Sequence, residues 1–171
     1  MSGWLIPASC RLIREIAMSQ AALIDAYAAG PKLLREATRG MTREQALARP
    51  IAGKWSTLEC VCHIADFEIV YADRLKRVIA ENEPTMFGGD PDVFAARLAY
   101  ERRDLAEELN LIEACRGQVV RILRTLSDGD FQRIGKHSEA GPLTLQTLLE
   151  RVTDHIPHHA NFIQEKRAAL K

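Results

Sequence analysis

Nowhere in the 171 residues do apolar and polar side chains alternate with period two for long enough to mark a strand. The apolar residues recur instead near the helical period over four long stretches cut by Gly and Pro. The first stretch runs from about Ser19 to Thr38 and carries Leu23, Tyr27, Leu34 and Ala37 on one face. Pro31 within it should kink it, because proline has no N–H to bond back one turn. Gly40 should stop it. A short helical turn, Thr42 to Ala48, then leads to Pro50 and Gly53. The second stretch opens on Ser56-Thr57-Leu58-Glu59, a Ser-x-x-Glu capping box with Ser56 as N-cap. It should reach about Ala80, a length on the order of 35–40 Å, with Pro84 and Gly88-Gly89 beyond it.

The third stretch starts after Asp90-Pro91, with Asp as cap and Pro at the first helical position. Phe94, Leu98, Leu105, Leu109, Ile112, Val119, Ile122 and Leu126 carry it to Ser127-Asp128-Gly129. That is roughly 35 residues, long for a globular helix, so a kink is expected near Asn110 or Gly117. A loop, Phe131 to Pro142, carries His137. The fourth stretch, Thr144 to Leu170, has an apolar stripe of Leu145, Leu148, Leu149, Val152, Phe162 and Ile163. Four long amphipathic helices joined by loops predict an all-α fold, a four-helix bundle. One domain over residues 18–171 accounts for the length, with residues 1–17 as an N-terminal extension.

Charge narrows the partners. Lys plus Arg number 23 against 23 Asp plus Glu. That balance argues against nucleic acid, which selects a basic excess, and against a polybasic membrane patch. No apolar run approaches the roughly 20 residues of a membrane span. Trp4 to Ala8 is too short for a signal-peptide core. A cytoplasmic protein is expected. Cys10, Cys60, Cys62 and Cys115 are too few for a disulfide framework, and the Cys60-x-Cys62 spacing turns two thiols apart on a helix. Small core residues are the expected role for most of them.

Four of the five histidines fall in two short runs, Cys62-His63-Ile64-Ala65-Asp66 and Asp154-His155-Ile156-Pro157-His158-His159. His155 and His159 differ by about 40° on the helical wheel and sit one turn apart. Two imidazoles so placed can share one metal ion. A third ligand must come from another helix, and His63 is the natural candidate. Three imidazoles with positions left for water match a catalytic type of site, since structural zinc sites are closed by four protein ligands. Nitrogen donors suit zinc, nickel, iron or copper. His158 points to the other side of His155 and suits a supporting or surface role. Asp66, one turn beyond His63, could fix the tautomer of a ligand imidazole or serve as a general base toward an activated water. Arg74 and Arg77, on the same side of the second helix, are expected to pair with acids such as Asp73 and Glu81.

These blocks resemble the DinB-like superfamily as a set. They are Gly53-Lys54-Trp55-Ser56, His63-Ile64-Ala65-Asp66 with Glu68, Gly141-Pro142-Leu143-Thr144, and His155 to His159. The likeness covers about residues 20–170. It implies an up-down-down-up four-helix bundle, often a homodimer. It also implies a divalent metal, zinc or nickel, held by one histidine of the second helix and two of the last: here His63, His155 and His159. The last-helix motif of the family often has Asp after its first His and Gln three residues after its last. Here those positions hold Ile156 and Phe162. The activities implied are mixed. Some relatives look like metal-dependent hydrolases, and others are S-transferases using low-molecular-weight thiols such as bacillithiol or mycothiol.

The expectation is therefore a metal-dependent enzyme acting on a small-molecule substrate. Its ion would activate water or a low-molecular-weight thiol, with Asp66 as the catalytic group and, from the resemblance, a slight preference for thiol transfer. The alternatives are a metal-binding or stress-response module without turnover, and a metal-free bundle whose histidines form a polar network.

Overall fold

The computed structural model describes residues 19–170; the extension at 1–17, with Cys10, lies outside them. Six α-helices, two 3-10 turns and three short strands follow in the order α1 (Gln20–Thr38), α2 (Arg43–Leu47), α3 (Thr57–Ala80), β1 (Thr85–Met86), α4 (Pro91–Arg97), α5 (Leu105–Leu123), β2 (Ile134–His137), β3 (Gly141–Thr144) and α6 (Leu145–Ala169). The long helices α1, α3, α5 and α6 form the four-helix bundle. α1 packs on α5 and α6, and α3 packs on the same two. Hence α1 lies opposite α3, and α5 opposite α6. The two links that cross these diagonals carry α2 and the β2–β3 hairpin.

Capping chemistry sets most helix starts. Ser19 begins α1 by accepting the Ala22 N–H. Ser56 and Glu59 close a complete capping box at the start of α3, and Thr42 and Gln45 do the same for α2. Thr144 caps α6 through the Thr147 N–H. Gly40 adopts φ +71°, the left-handed conformation that lets the chain turn after α1. α1 is unbroken through Pro31, and α6 through Pro157.

The third stretch is not one long helix. It divides well before Asn110 and Gly117, into α4, a 3-10 turn over Tyr100–Arg102, and α5. Ala99 takes φ +50°, a left-handed conformation in which α-helix cannot continue. The turn lets Tyr100 bury completely against Ala46, Leu58 and Cys62. Asp104 then starts α5 afresh by accepting the Ala106 and Glu107 N–H groups. Leu98, expected in the apolar stripe, is exposed. The expected loop after Phe131 also differs, because it contains β2 and β3. They pair antiparallel from Ile134↔Thr144 to His137↔Gly141, while β1 joins β2 in parallel. Strands of two to four residues are too short to show alternation.

Two layers of apolar side chains fill the bundle. One holds Leu23, Tyr27, Leu75, Val119, Leu148 and Val152. The other holds Leu34, Val61, Ile64, Ile112, Ile156 and Ile163. Between α1, α3, α5 and α6 lies a buried polar group. Arg116 donates to the Glu68 carboxylate (2.8 Å) and to the carbonyls of Tyr27 (2.8 Å) and Val152 (2.7 Å). The Tyr27 hydroxyl donates to the other Glu68 oxygen.

Candidate metal centre

The three imidazoles singled out by spacing meet where α3 faces α6. One ring nitrogen from each of His63, His155 and His159 lies within 4.8 Å of the other two. The His63 and His155 Nε2 atoms are 2.9 Å apart. Three nitrogens about 2.0–2.1 Å from one ion stand roughly 3.3 Å from one another, so this spacing fits shared coordination with little movement. α3 supplies His63 from its second turn, and α6 supplies the other two from adjacent turns of one face.

The surroundings are largely apolar. Trp55, just ahead of the α3 cap, and Phe67, one turn beyond His63, place their ring centroids 5.2 and 4.6 Å from the His63 ring. Burial pushes His63 down to about 4, against a weaker opposing pull from Asp66 and Asp92. Burial, reinforced by the neighbouring imidazoles, lowers His155 and His159 to about 3. At neutral pH all three rings are uncharged, with lone pairs available as ligands require. The Nδ1 atom of each ring is buried and has no hydrogen-bond partner among the described residues. Neutral nitrogen donors, converging without a thiolate or carboxylate among them, fit a divalent transition-metal ion.

The other histidines stand apart. His158 packs edge-on against His159 and Phe162 rather than joining the cluster. His137 sits on β2, where its Nδ1 accepts the Glu139 and Ala140 N–H groups and shapes the hairpin turn. Asp66 is turned to Arg103, whose Nη1 donates to both carboxylate oxygens at 3.0 Å, and Arg103 also grips Glu108. No hydrogen bond joins Asp66 to an imidazole of the cluster. Arg77 pairs with Asp73 and Glu81, as expected from the sequence, and Arg74 is buried with a hydrogen bond to the Phe87 carbonyl. Glu59 is held by Arg49 and by the Ser56 N–H.

A family model of the DinB superfamily matches residues 26–163. The chain belongs to the DinB superfamily. Its relatives include a protein of Oceanobacillus iheyensis named "putative metal-dependent hydrolase", 29% identical over 75% of this chain and 74% of the relative. Another is the "putative metal-dependent hydrolase YfiT" of Bacillus subtilis, 27% identical over 79% of this chain and 76% of the relative. A solved structure of Bacillus subtilis YfiT, described as "a probable metal-dependent hydrolase with an unusual four-helix bundle topology", superimposes with a TM-score of 0.83. It is 25% identical, over 90% of both chains.

Ile156 is fully buried in the core, and Phe162 is partly exposed beside His159. Phe162, Trp55 and His159 line a cavity of about 400 Å³. Helical spacing alone places Phe162 on the apolar stripe, yet its ring is exposed at the cavity. Arg103 gave no signal in the sequence. Its partners Asp66 and Glu108 lie on different helices and meet only once the chain turns at Ala99. No described helix is long and apolar enough to cross a membrane.

Proposed function

We propose that this chain is a divalent-metal-dependent enzyme of hydrolase type, with His63, His155 and His159 as the protein ligands and a small molecule as substrate. The convergence of three neutral imidazoles beside a cavity carries the reading, and the names of the relatives favour hydrolysis over other reactions of an activated nucleophile. An ion held by three histidines keeps positions open and lowers the pKa of a water or thiol that binds there.

The chain's own residues do the rest. The aromatic wall of Trp55 and Phe67 limits water around His63 and lowers the local dielectric. Trp55 and Phe162 offer an apolar seat for the substrate body. Asp66, as the catalytic group of this proposal, would exchange its contact with Arg103 for a proton of the substrate or nucleophile. By the same family likeness the chain is proposed to form a homodimer.

The test is elemental analysis of untagged protein, followed by ester or amide hydrolysis assays on the zinc- and nickel-loaded forms. One equivalent of metal, and turnover lost both on chelation and in His159→Ala, is the expected result. A low-molecular-weight thiol is the alternative nucleophile. A thiolate-to-metal absorption band in cobalt-substituted protein would favour thiol transfer, and its absence would leave hydrolysis.

A further inference from the structure

The cavity beside His159 has a second wall. Lys166 reaches it from α6, two turns beyond His159 and within about 20° of it on the helical wheel. Lys166 is only 4% exposed. Buried lysines are nearly always paired with an acid. This one is not. Its Nζ contacts the Cys60 Sγ and the Phe162 carbonyl, each at 3.4 Å, and lies 5.6 Å from the centre of the Phe162 ring. Cys60 cannot neutralise it, because burial raises that thiol despite the nearby ammonium and keeps it protonated. Glu59, the neighbour of Cys60 in the chain, is engaged by Arg49. Glu165 lines the same cavity but forms no ion pair with Lys166, and Lys54 adds a second positive charge at the rim.

We propose that Lys166 is the specificity-determining residue for a substrate carboxylate, seated in the cavity of Trp55, Phe162 and Lys54. This rests on the three-histidine reading for the reacting end of the molecule. Seven helical residues rise about 10 Å, so the substrate is an elongated monocarboxylate. Its labile group faces His159, its apolar middle lies against Trp55 and Phe162, and its carboxylate meets the ammonium. A carboxylate fits better than a phosphate. Two of the three ammonium donors are already directed at Cys60 and Phe162, and a dianion requires more donors than remain. A cavity of about 400 Å³ lies within the range for small-molecule sites.

The experiment compares 3-phenylpropanoate with its neutral amide by calorimetric titration, on metal-free and on zinc-loaded protein. The expected result is a preference for the carboxylate of about tenfold or more. It should be lost in Lys166→Met, which keeps the apolar stem, and largely kept in Lys166→Arg. Equal binding of acid and amide to the unaltered protein would overturn the proposal, and so would a preference that survives Lys166→Met. The metal-free arm separates the two readings. Zinc binding without carboxylate preference sinks only the role of Lys166. Carboxylate preference without zinc binding sinks only the metal-dependent activity.

Discussion

His63 and His155 face each other across α3 and α6, Nε2 to Nε2 at 2.9 Å, although 92 positions separate them in the chain. His159 completes the group from the next turn of α6. Each ring carries a neutral donor nitrogen toward the same point. Replacing any one of them leaves two ligands, too few for tight binding of zinc or nickel. His63→Ala, His155→Ala and His159→Ala should each purify with far less than one equivalent of metal by elemental analysis. His158→Ala should keep its metal, because that ring packs on Phe162 outside the cluster. Equal loss in His158→Ala would show that the ligand set is wrong.

The three depressed histidines also set a pH dependence for the metal-free protein. In the unfolded chain they titrate near 6.5. In the fold they take up protons only near 4 for His63 and near 3 for His155 and His159. Between these values the unfolded state binds more protons, so stability falls as pH drops below about 6.5 and keeps falling toward 3. Urea midpoints measured from pH 7.5 to 4 should decline steadily. The decline should be shallower in a variant with His63, His155 and His159 all replaced by Gln. An unchanged slope would mean that the rings are not buried as described.

Much of this arrangement is legible in the sequence, and the reasons are local. Ser56, Glu59 and Thr144 encode the starts of α3 and α6 within four residues of themselves, so the register of the three clustered histidines follows from short-range chemistry. The spacing of His155 and His159 fixes a shared face in the same way. The break at Ala99 was hidden, because it depends on Tyr100 finding a pocket made by Ala46, Leu58 and Cys62. The burial of Lys166 was hidden for a similar reason. A lysine in the last turns of a helix ordinarily points to solvent, and only the packing of α6 on α3 buries it beside Cys60.

Asp66 illustrates how a contact partner redirects an expectation. Its carboxylate holds Arg103 at 3.0 Å, and Arg103 in turn holds Glu108, which ties α3 to the start of α5. Asp66→Asn should therefore weaken the fold by about 1.5–3 kcal/mol, the usual loss of a charge-assisted hydrogen bond, while leaving metal content intact. Arg103→Met should cost a similar amount, and the double variant little more than either, as members of one network behave. Chemical denaturation with parallel metal analysis measures both. Loss of metal in Asp66→Asn would place the carboxylate in the centre itself.

Gly30 and Arg116 make the last prediction, and it turns on space rather than charge. A Cβ added at Gly30 would stand 2.2 Å from Arg116 Nη1 and 3.2 Å from Ile156 Cδ1. Arg116 cannot retreat without releasing Glu68 and the carbonyls of Tyr27 and Val152, all buried. In an exposed helix, Gly→Ala gains about 1 kcal/mol. Here overpacking costs about 1–3 kcal/mol, and the displaced guanidinium loses at least one charge-assisted bond worth about 1.5–3 kcal/mol. The losses outweigh the gain, so Gly30→Ala should destabilise by about 2–4 kcal/mol in urea. Arg116→Met alone should cost about 3–5 kcal/mol, because it strands the Glu68 carboxylate. In the Arg116→Met background the clash is relieved, and Gly30→Ala should then cost little or turn stabilising. A loss that persists there would mean that Ile156, not Arg116, sets the limit at Gly30.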